Sequence, residues 1–180
     1  MSKVLVITTS LRSGSNSEIL AERLIAGAKA AGHEVELVGL KGKQIGFCIG
    51  CLACLKTQRC VIDDDAVAIT ENVRNADTLV FATPIYYYEM SGQMKTLLDR
   101  MNPLYSSDYR FRNVYMLSTA TEDEETTAEK AVSGLQGWVD CFENATLVDS
   151  LFCGGIADAG EAKAKEAELE EAYSFGKQLK

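Results

Sequence analysis

A chain of 180 residues, 47% hydrophobic and 24% charged, is long enough for one domain with a core of its own. The formal net charge of −8 argues against nucleic acid as a partner, because neutralising phosphates needs a surplus of Lys and Arg. No apolar run approaches a bilayer-spanning length and no secretory pattern opens the chain, so the expected setting is the cytoplasm, away from membranes.

Strands and helices are predicted in alternation. KVLVITT (3–9) reads as a strand buried on both faces, and SEILAERLIAGAKAAGH (17–33) carries Ile19, Leu20, Leu24, Ile25 and Ala28 at helical spacing. EVELVGL (34–40) is the second strand. DDDAVAITENVRNAD (63–77) is a helix whose three aspartates suit its positive end. TLVFATP (78–84) is the third and most buried strand, and EMSGQMKTLLDRMNPL (89–104) the next helix. NVYMLSTA (113–120) is a strand, TTAEKAVSGLQGWVDCFEN (126–144) a helix, ATLVDSLFCGG (145–155) a strand and 161–180 a closing charged helix.

Five strands alternating with five helices imply parallel strands, right-handed crossovers and helices on both faces. The expected fold class is α/β: a flavodoxin-like, three-layer, doubly wound five-stranded parallel sheet of order 2-1-3-4-5, as a single domain over residues 1–180. In that order a ligand crevice lies beyond the carboxyl ends of strands one and three.

The loop after strand one, TTSLRSGSNSEIL, offers Ser10, Ser13, Ser15, Asn16 and Ser17, the cation Arg12 and a bend at Gly14. It runs into a helix N-terminus, where free N–H groups attract phosphate. It matches neither the dinucleotide nor the nucleoside-triphosphate glycine pattern. A serine-rich connection in which Ser15 or Ser17 merely caps the helix has the same composition; Arg12 at the ligand edge favours a single phosphate. The run S-x-R-x-x-S-N-S, Ser10 to Ser17, resembles the phosphate loop of NAD(P)H-dependent FMN reductases. That resemblance implies an FMN phosphate held by Ser10, Arg12, Ser15, Asn16 and Ser17. Many members have glycine where this chain has Thr9.

Strand three ends in ATPIYYYEMSGQMK. Adjacent tyrosines can pack beside a planar ligand, or fill a helix or subunit interface. In the resembled family a T/S-P-x-Y turn, followed by a helix with G-x-x-K, lies against the flavin ring. This implies contacts from Pro84, Ile85, Tyr86 and Tyr87, with Gly92 and Lys95 on the helix and Lys95 toward a partner subunit. The same analogy places the small residues Thr119, Ala120 and Thr121, after strand four, beside the ring. Tyr88, Met90 and Trp138 are candidates for subunit contact.

Residues 47–60, FCIGCLACLKTQRC, hold Cys48, Cys51, Cys54 and Cys60 as C-x2-C-x2-C-x5-C. In a reducing compartment such a group means metal or redox chemistry more often than disulfides. Zinc sites usually separate two close pairs by about 12–20 residues, which fits poorly. Iron–sulfur centres use three close thiolates and a fourth, and a bare thiol set is the third reading. Cys48, Cys51 and Cys54 would lie near one side of a helical turn. Lys41, Lys43, Lys56 and Arg59 surround them without an acid between 41 and 60, as a solvated loop or as cations that favour thiolates. The spacing resembles that of iron–sulfur flavoproteins, which share the fold. It implies a [4Fe-4S] cluster on the four cysteines, beside the phosphate loop, exchanging electrons with FMN; the ferredoxin-type Cys-Pro ending is absent, Val61 following Cys60. Cys141 and Cys153 lie in apolar stretches and read as core thiols. His33 reads as a surface turn residue.

The expected function is that of an FMN-dependent oxidoreductase. It passes hydride from NAD(P)H to bound FMN and on to a small-molecule or flavin acceptor, with no catalytic side chain required. The alternative is an iron–sulfur flavoprotein electron carrier fed by ferredoxin. A flavin-free receiver domain needs acids at the end of strand one, where this chain has TTSLRSGSNS. The resemblance also implies a homodimer or homotetramer.

Overall fold

The computed structural model describes the backbone of residues 1–180 and every side chain except that of Glu125. Its elements are β1 (Lys3–Thr8), α1 (Asn16–Ala30), β2 (Glu34–Gly39), α2 (Cys54–Thr57), α3 (Asp65–Asn75), β3 (Thr78–Tyr86), β4 (Glu89–Met90), α4 (Gly92–Arg100), β5 (Asn113–Thr119), α5 (Glu129–Val139), β6 (Thr146–Cys153) and α6 (Glu166–Lys177). Short 3-10 turns at Asn102–Ser106, Glu125–Ala128 and Glu161–Ala164 account for predicted helical residues outside α4, α5 and α6.

The sheet runs β2-β1-β3-β5-β6, all parallel, which is the expected 2-1-3-4-5 order of the long strands. Alternation explains why its central strands read as unbroken apolar runs. Val4 and Val6 of β1 pack into the α1/α6 layer, while Leu5 and Ile7 pack into the α3/α4/α5 layer. All four are fully buried, and each such side chain contributes about 1.5–3 kcal/mol of burial. The first layer needs glycine: a Cβ on Gly176 would lie 2.0 Å from the Leu24 carbonyl oxygen, and one on Gly27 1.9 Å from that of Tyr173. Helices α1 and α6 therefore touch backbone to backbone.

Two expectations change. The segment 89–104 does not begin as helix: Glu89–Met90 returns antiparallel on β3, pairing Tyr86 with Glu89. The two-residue loop between them is Tyr87-Tyr88, with φ of 51° and 65°. Both positive values define a type I′ hairpin turn, where Asn-Gly is the preferred pair and a bulky residue costs about 1–2 kcal/mol. Ser91 then caps α4, its Oγ accepting from Met94 N–H at 3.3 Å. Met90 also belongs to this chain's own interior, and Trp138 lies half-buried against that core. Met90 is 7% exposed, and Trp138 stacks with Phe111 at 5.8 Å and meets Phe81 edge-on at 5.9 Å. Among the described residues no helix is long and apolar enough to cross a membrane.

Candidate functional site

The order of strands reverses between β1 and β3, and their carboxyl ends open a groove there. Loop β1–α1 forms one wall. Ser15 caps α1, its Oγ accepting from Glu18 N–H at 3.3 Å, and leaves the N–H groups of Asn16 and Ser17 at the mouth. Thr9, in the place of the family's usual glycine, has its Oγ1 3.0 Å from Ser91 Oγ, and Thr83 Oγ1 donates to the same Ser91 Oγ at 3.1 Å. This buried hydroxyl chain ties the first loop, the end of β3 and the cap of α4 together, so each is rigid relative to the others.

A cavity of about 160 Å³ sits in this groove, lined by Ser10, Arg12, Ser15, Asn16, Ser17, Pro84, Ile85, Tyr86, Thr119, Ala120 and Thr121. Eleven of the twelve residues expected from sequence to contact a cofactor are thus brought together. The twelfth, Tyr87, lines the neighbouring cavity of about 300 Å³ with Tyr88, Glu122 and Thr127. The two cavities share Ile85, Tyr86, Ala120 and Thr121, so they form one bent groove. Its second limb is bordered by the tyrosine turn, where Tyr87 is 99% exposed. Thr127 Oγ1, on that limb, is buried and without a hydrogen-bond partner. An orphaned hydroxyl inside a cavity suits a polar ligand edge.

Ile156 and Ala157, which sequence reasoning missed, complete the first limb. They follow β6, whose carboxyl end opens on the same edge, and that position was their signal. Asn16 holds this stretch: its Nδ2 donates to Asp158 O at 2.9 Å, and its Oδ1 accepts from Gly160 and Ala162 N–H at 3.1 Å each. Arg12 Nη1 donates to Ala157 O at 2.7 Å, which fixes the guanidinium across the cavity. Asn16 is thus first a clamp, with one amide hydrogen left over, and Arg12 keeps further donors.

The four loop cysteines line a separate cavity of about 460 Å³, together with Cys141, Leu98, Trp138 and Phe142. This chamber shares no lining residue with the serine–tyrosine groove, although the start of the cysteine segment meets the phosphate loop, where Phe47 and Leu11 line one hollow and Lys41 Nζ donates to Ser13 Oγ. The loop follows β2 but lies against the ends of α4 and α5. Nor does it make one helical face. Gly50 and Leu52 have φ of 65° and 57°, which breaks the run before α2 starts at Cys54. Cys141 is exposed, not a core thiol; Cys153 is buried, and burial pushes its thiol up to about 11. All six cysteines are free thiols. Among the described residues no group of three or more His, Cys, Asp or Glu side chains is placed to hold a metal ion.

Arg100 latches the loop's two ends. Its side chain is fully buried, donates to Gly46 O at 2.7 Å and Ile62 O at 3.0 Å, and grips Asp64 at 2.6 and 2.9 Å. Burial works to raise the Asp64 pKa, but hydrogen bonds from Arg100, Gly46 and Ala66 outweigh it and hold the carboxyl below its usual range. Asp64 does cap α3 as expected, accepting from Ala66 N–H at 3.0 Å, but its second task closes the cysteine loop.

This sheet order, with a hollow at its switch point, defines a flavodoxin-like protein. The family model for NADPH-dependent FMN reductase matches residues 2–148, and the chain belongs to that family of oxidoreductases. Along its length it is similar to an iron–sulfur flavoprotein of Methanosarcina thermophila, 28% identical over 155 residues, covering 86% of this chain and 81% of that protein. It is also similar to one of Methanocaldococcus jannaschii, 27% identical over 195 residues and covering 98% and 95%. In fold it resembles an NAD(P)H:quinone oxidoreductase from Methanothermobacter marburgensis, with a TM-score of 0.78 at 20% identity, covering 99% and 96%.

Proposed function

We propose that the bent groove binds FMN, and that the chain oxidises NAD(P)H there and reduces a small-molecule or flavin acceptor. The observation that carries this is the convergence of Ser10, Arg12, Ser15, Asn16 and Ser17 on one hollow at the N-terminus of α1. Arg12 and the free N–H groups of α1 hold the phosphate, each charge-assisted bond contributing about 1.5–3 kcal/mol. Asn16 braces the loop after β6 against it. Thr119, Ala120, Thr121 and the Thr127 hydroxyl would offer polar partners to the ring, and Pro84, Ile85, Tyr86 and Tyr87 would pack against it. When bound, FMN supplies the hydride and single-electron chemistry. The protein's part is to orient the ring and leave one face open at the exposed turn.

Anaerobic purification followed by flavin extraction and an NADH and NADPH oxidation assay tests the reading. Bound FMN with pyridine-nucleotide oxidation supports it; a protein that neither retains nor takes up FMN defeats it. The exposed apolar residues Leu11, at 50%, and Phe47, at 80%, support a homodimer or homotetramer, which sedimentation measures directly.

A second reading is favoured by the cysteine chamber. Cys48, Cys51, Cys54 and Cys60 would hold a 4Fe–4S cluster there, making the protein an electron carrier that ferredoxin reduces. The donor chemistry suits it: four free thiols line one space. Iron and acid-labile sulfide in stoichiometry with FMN support this reading, and their absence from protein purified without oxygen removes it.

A further inference from the structure

The sulfur atoms of the chamber are not equivalent, and hydrogen bonding separates them. Cys54, the buried member at 8% exposure, has the Nδ2 of Asn102 3.1 Å from its Sγ. Gly50 N–H donates to Cys48 Sγ at 3.5 Å. The buried Arg100 guanidinium lies beside Cys60 as well as Asp64. Three of the four loop thiols therefore have an N–H group or a cation directed at them. Cys141 in the same chamber has no N–H directed at it, and its Sγ instead donates to Gly137 O at 3.5 Å. Cys153 shows what an ordinary buried thiol looks like here: it sits in the α1/α6 core among apolar groups.

A thiol tolerates burial without a donor, whereas a buried sulfur anion does not. The amide of Asn102 also has a defined orientation if Cys54 is deprotonated. Its nitrogen must face the sulfur, since its carbonyl oxygen would set two acceptors against each other.

We propose that Asn102 sets the reduction potential of the group held by the four loop cysteines, by donating its amide N–H to the sulfur of Cys54. This rests on the iron–sulfur reading above. Reduction adds one electron to a thiolate-ligated group and no proton, and a donor at a ligating sulfur stabilises the more negative state. Asn102 is a positioning residue: it acts through Cys54.

A purely structural role is the rival explanation, because the 3-10 turn carrying Asn102 is also zipped to α2. Ser106 Oγ donates to Leu55 O at 3.1 Å, and Gln58 Nε2 donates to Ser106 O at 3.0 Å. Ser106→Ala loosens that zip without touching a sulfur, so it separates the two roles.

The experiment uses the full chain purified without oxygen. Iron, acid-labile sulfide and FMN are assayed, and midpoint potentials are measured by spectroelectrochemical titration. Asn102→Leu is expected to shift the one-electron equilibrium about tenfold toward the oxidised form, a fall of ~59 mV. Asn102→His, whose ring Nδ1–H can occupy the place of the amide nitrogen, keeps the wild-type potential. Ser106→Ala also keeps it, and the flavin potential is constant throughout. An Asn102→Leu protein with the wild-type potential overturns the inference, as does a Ser106→Ala protein that shifts equally. Where Asn102→Leu does not load iron, Asn102→His must restore both loading and potential, and its failure to do so is equally fatal. Wild-type protein free of iron and sulfide overturns the iron–sulfur reading and this inference together; a loaded protein indifferent to Asn102 overturns the inference alone.

Discussion

Replacing Arg100 by Met tests how the cysteine loop is held. The substitution keeps the apolar stem but removes a fully buried guanidinium that joins Gly46 O, Ile62 O and both Asp64 oxygens. Breaking a buried pair by deleting one partner costs about 3–5 kcal/mol. Asp64 is 14% exposed and keeps bonds from Gly46 N–H at 2.8 Å and Ala66 N–H at 3.0 Å, so the lower end applies, ~3 kcal/mol. For a domain of this size that is a fall in Tm of about 6–12 °C. Urea unfolding gives the energy, and the rate of Cys54 labelling reports whether the loop has opened. In a double-mutant cycle with Asp64→Asn the two losses should overlap by about 2 kcal/mol, because the second change removes the charge stranded by the first. An Arg100→Met protein within ~1 kcal/mol of wild type, or fully additive losses, refutes the latch.

Three more outcomes follow from the geometry. Because the Asp64 carboxyl is held below its usual range, the latch contributes fully above about pH 4 and is lost as pH falls through the lowered value; the stability gap between wild type and Arg100→Met should be constant from pH 5 to 8 and close in stronger acid. A gap that widens on acidification contradicts this. Gly176→Ala drives a methyl group to 2.0 Å from the Leu24 carbonyl oxygen and should cost about 1–3 kcal/mol by thermal unfolding; an effect within ~0.5 kcal/mol of zero would mean that α1 and α6 part freely. Tyr87→Asn with Tyr88→Gly installs the preferred I′ pair, which should stabilise the flavin-free protein by about 1 kcal/mol, net of the Lys130 contact with Tyr88, while weakening FMN binding. Destabilisation of the flavin-free form would show that the tyrosine turn stores no strain.

The parts legible in the sequence were those set by local pattern. The β1 run is unbroken because both of its faces are covered, and the loop after it is rich in Ser with one Arg because it ends on a helix N-terminus. What escaped was settled by distant partners. Arg100 carries no local signal of its task, since its partner Asp64 lies 36 residues away and had a sufficient local role as a cap. Met90 looked free for a subunit contact until β4 folded it back beside Ile85 of β3. Tyr87-Tyr88 carries no hairpin signature, because it occupies left-handed positions normally given to Asn and Gly. Cys141 sat in an apolar stretch but falls just past the end of α5, where its side chain reaches the surface.

The central claim, a single phosphate gripped at the start of α1, is tested most directly by comparing FMN with riboflavin in calorimetric titrations of flavin-free protein. The two ligands share the ring and differ by the phosphate. Arg12 and the free N–H groups together should favour FMN by at least about 3 kcal/mol, more than a hundredfold in Kd. Equal affinity for the two flavins, or none for either, would contradict the account.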